Sequence, residues 1–170
     1  MQQKKLFEET QRFNQWWIWL IHLINIVMFL IFAAGVYIQV IKGDTFGSKP
    51  APDAVLIGGA ILLLLMCLIL FVSSLKTYIT KDKICFRFTP FHLKEQEYLI
   101  SDIRKMEVVK YSPIGEYGGW GIRGFGSDKA FNVKGSMGLR ILFKDGKKRL
   151  IGTQKPDELQ KVINELQLKN

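Results

Sequence analysis

The glycine-rich segment, residues 115–138, is the part of the sequence whose composition best suits binding chemistry. It holds eight of the 15 glycines and contains the run EYGGWGIRGFG. A loop of this kind offers backbone N–H groups, and our hypothesis is that Arg123, together with Lys129, faces an anionic group or an acidic partner. The predicted partner-binding or lipid-binding residues are Tyr117, Gly118, Gly119, Trp120, Gly121, Arg123 and Lys129.

A purely structural role for the same segment stays open. Glycine permits positive φ angles, so the segment also fits a hairpin or bulge in which Trp120 packs onto the domain. Residues 119–124, GWGIRG, match the letters of a dinucleotide-binding fingerprint. That motif requires a preceding strand, a following helix and an acidic residue about 20 positions further on. A strand-like pattern follows instead of a helix, so no nucleotide cofactor is predicted.

Side chains for catalysis or metal binding are sparse. The sequence from residue 76 onward has one histidine, His92, and one cysteine, Cys85. It shows no Ser-His-Asp order, no paired-carboxylate motif and no metal-ligand spacing. We therefore predict no catalytic residue, no metal, no cofactor and a protein that is not an enzyme. Cys67 lies in an apolar run and Cys85 in a predicted cytoplasmic strand, which predicts no disulfide between them.

Two uncharged runs determine where this domain must lie. Residues 16–41 and residues 54–75 contain no Lys, Arg, Asp or Glu, although 23% of the chain is charged and the mean hydropathy is +0.11. A membrane-spanning helix needs about 20 apolar residues, and a helix apolar on all faces does not fit the core of a small domain. Cleavage as a signal peptide at Ala33-Ala34-Gly35 is disfavoured because the apolar run continues beyond it.

The distribution of charge predicts the orientation of these spans. Residues 1–15 carry three basic and two acidic side chains, residues 42–53 carry two of each, and residues 76–170 carry nineteen basic and eleven acidic ones. Basic segments stay in the cytoplasm. We predict a multi-pass protein of the bacterial inner membrane, with a cytoplasmic N-terminal segment (1–15), an external loop (42–53) and a cytoplasmic domain (76–170). The net charge of +9 then chiefly indicates which side of the membrane the basic segments occupy.

Polar and small residues inside the spans predict how the two helices meet. His22 and Asn25 share a helix face, and an interhelical hydrogen bond, with Ser73 or Ser74 as partner, is favoured over a proton relay. Gly35 lies at about the depth of Gly58 and Gly59 in the second span. Small residues at matching depth allow close helix packing.

From residue 76 the apolar pattern changes to alternation, which is typical of strands. Ile84, Phe86 and Phe88 share one face, and strands are also predicted at residues 96–100, 103–111 and 139–143. Asp145-Gly146 predicts a tight turn into a further strand. A helix with one apolar face is predicted from Leu159, Val162, Ile163 and Leu166. The domain is therefore expected to have six or seven antiparallel strands in a twisted sheet or open barrel, closed by one helix.

The uncharged hairpin, the short basic strands, the run EYGGWGIRGFG and the run GSMGLRILFKDGKKRLIGTQKPDEL resemble bacterial pleckstrin-homology-like (bPH) membrane proteins of the two-span type. The resemblance covers the whole chain. It implies a membrane α-helical hairpin followed by an α+β PH-like antiparallel barrel with one C-terminal helix. It implies little about activity, because PH-like folds serve lipid, peptide and assembly functions alike.

The sequence thus predicts a non-enzymatic membrane protein that presents a PH-like binding module at the cytoplasmic face. The partners left open are a membrane or cytoplasmic protein, a second copy of the chain, and lipid headgroups, with an anionic-lipid sensor as the main alternative. Nucleic acid is not predicted, because Lys144, Lys147, Lys148 and Arg149 surround a turn and no recognition helix appears. A membrane enzyme would require His92, Glu95 or Glu116 to meet in one concave pocket.

Overall fold

The chain folds into two compact units in the computed structural model, which describes residues 4–168. The helical unit comprises residues 14–72. The β-unit comprises the residues that precede and follow the helical unit along the chain. The membrane-like and domain-like parts of the sequence are therefore separate units, but the β-unit is built from two stretches of chain.

The helical unit contains two long apolar helices. Helix α1 covers Trp16–Gly35 and continues as a π-helical turn over Val36–Ile41, and helix α2 covers Asp53–Val72. Both are long and apolar enough to cross a membrane, and only 11% and 6% of their most apolar windows are buried within the protein. A helix from a soluble core would be mostly buried, so these two do not serve as core helices. Helix α2 ends earlier than residue 75, the end of the predicted span.

Glycines let the two helices pack closely. A Cβ atom on Gly59 would collide with the ring of Phe32, whereas one on Gly58 would meet nothing within 4 Å. A Cβ atom on Gly35 would lie 3.2 Å from Leu56 of α2 and 2.9 Å from the ring of Phe46, which belongs to the connection between the helices. The expected close approach therefore takes place at Gly59 and Gly35, where aromatic rings fill the space that a side chain would need.

Asn25 provides the expected hydrogen bond between the helices, with a different partner. It is buried, and its Oδ1 accepts a hydrogen bond from the Sγ of Cys67 at 3.1 Å. The predicted partners, Ser73 and Ser74, both lie beyond the end of α2. The sequence therefore identified the polar residue on α1, while the position of its partner on α2 depended on the helix register.

The first sheet of the β-unit begins before the helices. Strand β1 (Phe7–Arg12) pairs with β2 (Ser74–Ile79), followed by β3 (Lys83–Thr89) and β4 (Gln96–Leu99), all antiparallel. Arg12 lies opposite Ser74. The helical unit is thus an insertion between two neighbouring strands, and the predicted N-terminal segment contains a strand of the β-unit.

The second sheet has the order β5-β8-β9-β7-β6. Its strands are β5 (Ile103–Lys110), β6 (Gly121–Phe125), β7 (Asp128–Asn132), β8 (Met137–Phe143) and β9 (Lys148–Gly152). The antiparallel sheets predicted from the sequence are confirmed with one exception, whereas the PH-like barrel that the resemblance implies is wrong. The sheets do not close into a barrel, and β7 pairs with β9 in parallel. A parallel pair needs a crossover, here β8, and strand patterns along a sequence do not reveal which strands become neighbours.

The core of the β-unit confirms the alternation predicted from the sequence. Ile84, Phe86 and Phe88 are at most 1% exposed, and the four apolar residues of the predicted helix are all buried in α4 (Pro156–Gln167). Each such side chain contributes about 1.5–3 kcal/mol when fully buried. Helix α4 therefore closes the apolar core by the face that its periodicity predicted.

Two polar side chains fasten β1 to the second sheet. Glu9 is 6% exposed and accepts hydrogen bonds from the Thr153 hydroxyl at 2.8 Å and from the backbone N–H of Gln154 at 2.7 Å. Gln11 donates to the carbonyl of Gly152 at 2.6 Å. The strand that precedes the helices is therefore bound to the segment that leads into α4.

Candidate functional site

A short helix, α3 (Pro113–Tyr117), starts the glycine-rich segment. The Ser112 hydroxyl accepts the N–H of Gly115 at 3.1 Å, and the Glu116 carboxylate accepts the N–H of Ser112 at 2.8 Å. Gly118, with φ of 69°, ends the helix in the left-handed conformation. The hydrogen bonds at the start of α3 and the glycine at its end fix the backbone at Tyr117 and so position its side chain.

Trp120 and Arg123 are held by the segment itself. The indole Nε1 of Trp120 donates to the carbonyl of Gly135 at 3.2 Å, and the Nε of Arg123 donates to the carbonyl of Trp120 at 2.9 Å. A Cβ on Gly119 would lie 3.5 Å from a guanidinium nitrogen of Arg123. The structural interpretation of Trp120 therefore has direct support, and Arg123 lies along the glycine backbone.

The structure separates the two predicted cations. Arg123 on β6 lies opposite Ala130 on β7, and Lys129 is the residue before Ala130. Successive side chains of a strand point to opposite faces. Arg123 and Lys129 therefore lie on opposite faces of this strand pair and do not face one common group.

Among the described residues, one cavity lies on the outer face of the second sheet. This outer-face cavity measures about 390 Å³. Its lining residues come from α3 and from β5, β7, β8 and β9: Lys105, Glu107, Glu116, Tyr117, Asp128, Arg140, Leu142, Lys148 and Arg149. Of the predicted binding residues, the cavity lining contains Tyr117. The other lining side chains come from separate strands, so no local sequence motif marks them.

Charged side chains of both signs line the outer-face cavity. Arg140 pairs with Glu116 at 3.2 Å, and Lys105 pairs with Glu107 at 2.7 Å. Lys148 is exposed and makes no ion pair among the described residues. A polar ligand can therefore bind in the cavity by replacing one partner of these ion pairs. Lys148 can bind an anionic group without breaking an ion pair.

Tyr117 forms part of the wall of the cavity. Its hydroxyl donates to the Asp128 carboxylate at 3.4 Å, and its ring lies 6.1 Å from that of Tyr111. Burial and the neighbouring Asp128 charge raise the pKa of the Tyr117 hydroxyl, which stays protonated at neutral pH. Tyr111, Ala130 and Leu150 form a small apolar cluster against which Tyr117 packs. At this wall, Tyr117 therefore presents a neutral hydroxyl that can form hydrogen bonds, and its ring is supported by apolar residues.

The side chains best suited to catalysis lie elsewhere. The Nδ1 of His92 accepts the N–H of Phe88 at 3.3 Å, and burial, reinforced by the Lys129 charge, lowers the pKa of His92. Cys85 is fully buried, and burial raises the pKa of its thiol. Neither residue lines the outer-face cavity. Glu116 lines it without His92 or Glu95, so the grouping that would indicate an enzyme is not present there.

The sequence does not predict one group of potential metal ligands, because its members come from two strands and the loop between them. The ligand atoms of Cys85, Glu95 and Glu97 lie within 4.8 Å of one another. Glu97 pairs with Lys83 at 2.7 Å, and Glu95 accepts a hydrogen bond from the Tyr78 hydroxyl at 2.7 Å, which raises the pKa of Tyr78. These partners compensate both carboxylates without an ion, so we assign no metal to the group.

Comparison with known proteins assigns no family. No family model matches the chain, and no curated protein matches it.

Proposed function

We propose that this chain is a non-enzymatic bacterial inner-membrane protein whose β-unit is a PH-like binding module, and that the outer-face cavity binds a protein partner at the cytoplasmic face. The observation that carries the proposal is the cavity itself. Seven charged side chains of both signs and one tyrosine surround about 390 Å³ on a supported sheet face. A folded sheet positions such groups without an ordering cost at the moment of binding.

The insertion of the helical unit supports the membrane anchor. Three residues separate Arg12 from Trp16, and one residue separates Val72 from Ser74. Because Arg12 and Ser74 are paired, the start of α1 and the end of α2 are held close together by the chain. Two helices joined in this way can cross a bilayer only as a hairpin, which returns the chain to the side from which it entered. The excess of basic residues in the β-unit favours the cytoplasmic side.

The mixed charge of the cavity favours a protein partner. A partner segment that carries both a carboxylate and a cation can replace the Arg140–Glu116 and Lys105–Glu107 pairs without leaving a charge unpaired. A purely anionic ligand would compensate the basic groups only. The partner is therefore expected to bind through a polar, zwitterionic surface.

Co-purification from gently solubilised membranes tests this proposal. Lys148→Glu reverses an exposed charge of the cavity, and Lys161→Glu makes the same change on the exposed face of α4, outside the cavity. We expect the Lys148 variant to lose a protein that both the wild type and the Lys161 variant retain. Recovery of the same proteins with all three would refute the cavity as the binding site. If a differently tagged copy of the chain is co-expressed and is the protein that is lost, the partner is a second copy of the chain.

The second candidate ligand is an anionic lipid headgroup, which the four basic residues of the lining favour. Native mass spectrometry of the full chain in detergent would count bound phosphatidylglycerol molecules. A lipid site predicts that Lys148→Glu removes one such molecule and that Lys161→Glu removes none. Equal lipid counts in the two variants would leave the protein partner as the ligand of the cavity.

A further inference from the structure

The loop between β3 and β4, residues 90–95, carries two large apolar side chains that the protein leaves uncovered. Phe91 is 58% exposed and Leu93 is 87% exposed. Most other large apolar side chains of the β-unit are buried in its core, and the exposed ones among the described residues lie outside this loop: Leu99, Ile114, Ile122, Phe125 and Leu168. Exposed apolar side chains grouped in this way mark an interaction surface.

His92, between them, holds the loop in place. Its backbone N–H donates to the carbonyl of Phe88 at 2.8 Å, and its Nδ1 accepts the N–H of Phe88 at 3.3 Å. Its ring lies 5.5 Å from that of Phe131 in the core. The Nε of Arg87 donates to the carbonyl of His92 at 3.2 Å. With the histidine fixed inward, Phe91 and Leu93 are presented outward by an ordered loop.

Chain connectivity limits how far this loop can lie from the end of α2. Ser74 lies two residues after Val72, the last residue of α2, and is paired with Thr89, two residues before Phe91. Consecutive Cα atoms lie about 3.8 Å apart and paired antiparallel residues about 5 Å apart. The Cα of Phe91 therefore lies at most about 20 Å from that of Val72, a limit that the chain alone imposes.

The charges around the loop suit a lipid surface. Arg12, opposite Ser74, Arg87 and Lys94 are all exposed. The nearest acid of the loop, Glu95, is bound by the Tyr78 hydroxyl. Exposed cations beside exposed apolar side chains are the composition that binds at the boundary between headgroups and acyl chains.

We propose that the β3–β4 loop inserts Phe91 and Leu93 into the interfacial layer of the bilayer, as a second membrane contact beside the end of α2. This inference rests on the proposed membrane anchor but is independent of the ligand of the outer-face cavity. The contact would restrict rotation of the β-unit about its two short connections and so fix the direction in which the cavity faces.

Fluorescence quenching by spin-labelled lipids tests the contact. The full chain, with Cys67 and Cys85 replaced by alanine, is reconstituted into vesicles of equal parts phosphatidylcholine and phosphatidylglycerol. An environment-sensitive fluorophore is attached to Leu93→Cys or to Lys81→Cys. Lys81 is the matched control, because it is exposed in the β2–β3 turn, at the opposite end of β2 and about 20 Å along the strand.

We expect the label at position 93 to be quenched severalfold more than the label at position 81. Equal quenching would overturn the inference. Shielding of position 93 from water without lipid quenching would also overturn it, because a protein partner or second copy would then cover the loop. An alkaline wash separates the two proposals: a chain that is released refutes the anchor and the loop contact together, and a chain that stays without quenching refutes the loop contact alone.

Photo-crosslinking keeps the test valid if the alanine replacements disturb folding. Benzoylphenylalanine at position 91 or 81 leaves both cysteines in place. Lipid adducts from position 91, several times more abundant than those from position 81, are the expected result. Protein adducts in their place would overturn the inference.

Discussion

At the scale of residues, Glu9 connects the first strand of the β-unit to the segment that leads into α4. Its buried carboxylate receives two hydrogen bonds from residues that precede α4, far away along the chain. In the sequence it is one of two adjacent glutamates, and only the strand register distinguishes them. Glu8 faces solvent and pairs with Lys5 and Lys76, which lowers the pKa of its carboxyl.

Glu9→Ala is expected to lower the free energy of unfolding by about 1–3 kcal/mol, because it removes the acceptor of the buried Thr153 hydroxyl and of the Gln154 N–H. Glu8→Ala removes only solvent-exposed ion pairs, so it is expected to change the free energy of unfolding much less. Thermal unfolding of the full chain in detergent measures both. Equal losses of stability would contradict the assignment of Glu9 as the buried clamp.

His92 makes stability depend on pH. Burial lowers its folded-state pKa below the ordinary value of 6.5, so the unfolded chain takes up the proton first as the pH falls. Its stabilising contribution is complete above pH 6.5 and is lost progressively as the pH falls toward the folded-state pKa. We expect the melting temperature to fall on mild acidification in the wild type and to fall less in His92→Gln. Parallel melting curves against pH would contradict this role.

The candidate site shows what single residues could and could not reveal. The composition of the glycine-rich segment drew attention to Tyr117, and Tyr117 does line the cavity. It also suggested a joint role for Arg123 and Lys129, which alternation along β7 excludes. The sequence does not distinguish Arg140 and Lys148 from other basic residues, because their position beside Tyr117 follows from the order of strands in the sheet.

At the scale of elements, the packing of α1 against α2 depends on which of two adjacent glycines faces the partner helix. A methyl group on Gly59 would meet the ring of Phe32, and a methyl group on Gly58 would meet nothing. Both are consecutive residues of the same apolar helix, so each is the other's control.

Gly59→Ala is expected to destabilise the helix pair by about 1–3 kcal/mol through overpacking. Gly58→Ala should be neutral or stabilising by up to about 1 kcal/mol, because alanine favours helix over glycine. Unfolding of the full chain by a denaturing detergent compares the two variants. A larger loss for the Gly58 variant would contradict the helix register.

Strands and helices whose apolar residues recur at a regular interval could be predicted from the sequence, and those without such an interval could not. Strand β3 and helix α4 could be read directly, because their buried residues recur at intervals typical of strand and helix. Strand β1, FEETQR, buries Glu9 and Gln11 beside Phe7, so its buried face is largely polar and shows no apolar alternation. Helix α3 has five residues, too few for a period, and is fixed by its end bonds instead.

At the scale of the whole molecule, the helical unit is an insertion into the β-unit. Because β1 lies before the helices, residues 76–170 alone lack one strand of the first sheet and the first residues of β2. That fragment would expose the edge of β2 and leave the partners of Glu9 and Gln11 without their bonds. We therefore expect the β-unit to fold only when both stretches of chain are present.

Replacing residues 14–72 by an Asn-Gly turn is expected to give a folded, water-soluble β-unit, because Arg12 and Ser74 are already paired and need only a short connection. The fragment of residues 76–170 is expected to remain unfolded or to aggregate. Circular dichroism melting and size-exclusion chromatography distinguish the two. Cooperative melting of the fragment at the same temperature would contradict a structural role for β1.

The most direct test of the membrane-anchored hairpin is the side from which each unit can be labelled. In a background with Cys67 and Cys85 replaced by alanine, Lys49→Cys marks the connection between α1 and α2, and Lys147→Cys marks the β8–β9 turn. A membrane-impermeant maleimide is applied to intact spheroplasts and to lysed membranes. We predict that position 49 reacts in both preparations and position 147 only after lysis. Reaction of both positions in intact spheroplasts, or of neither, would contradict the account.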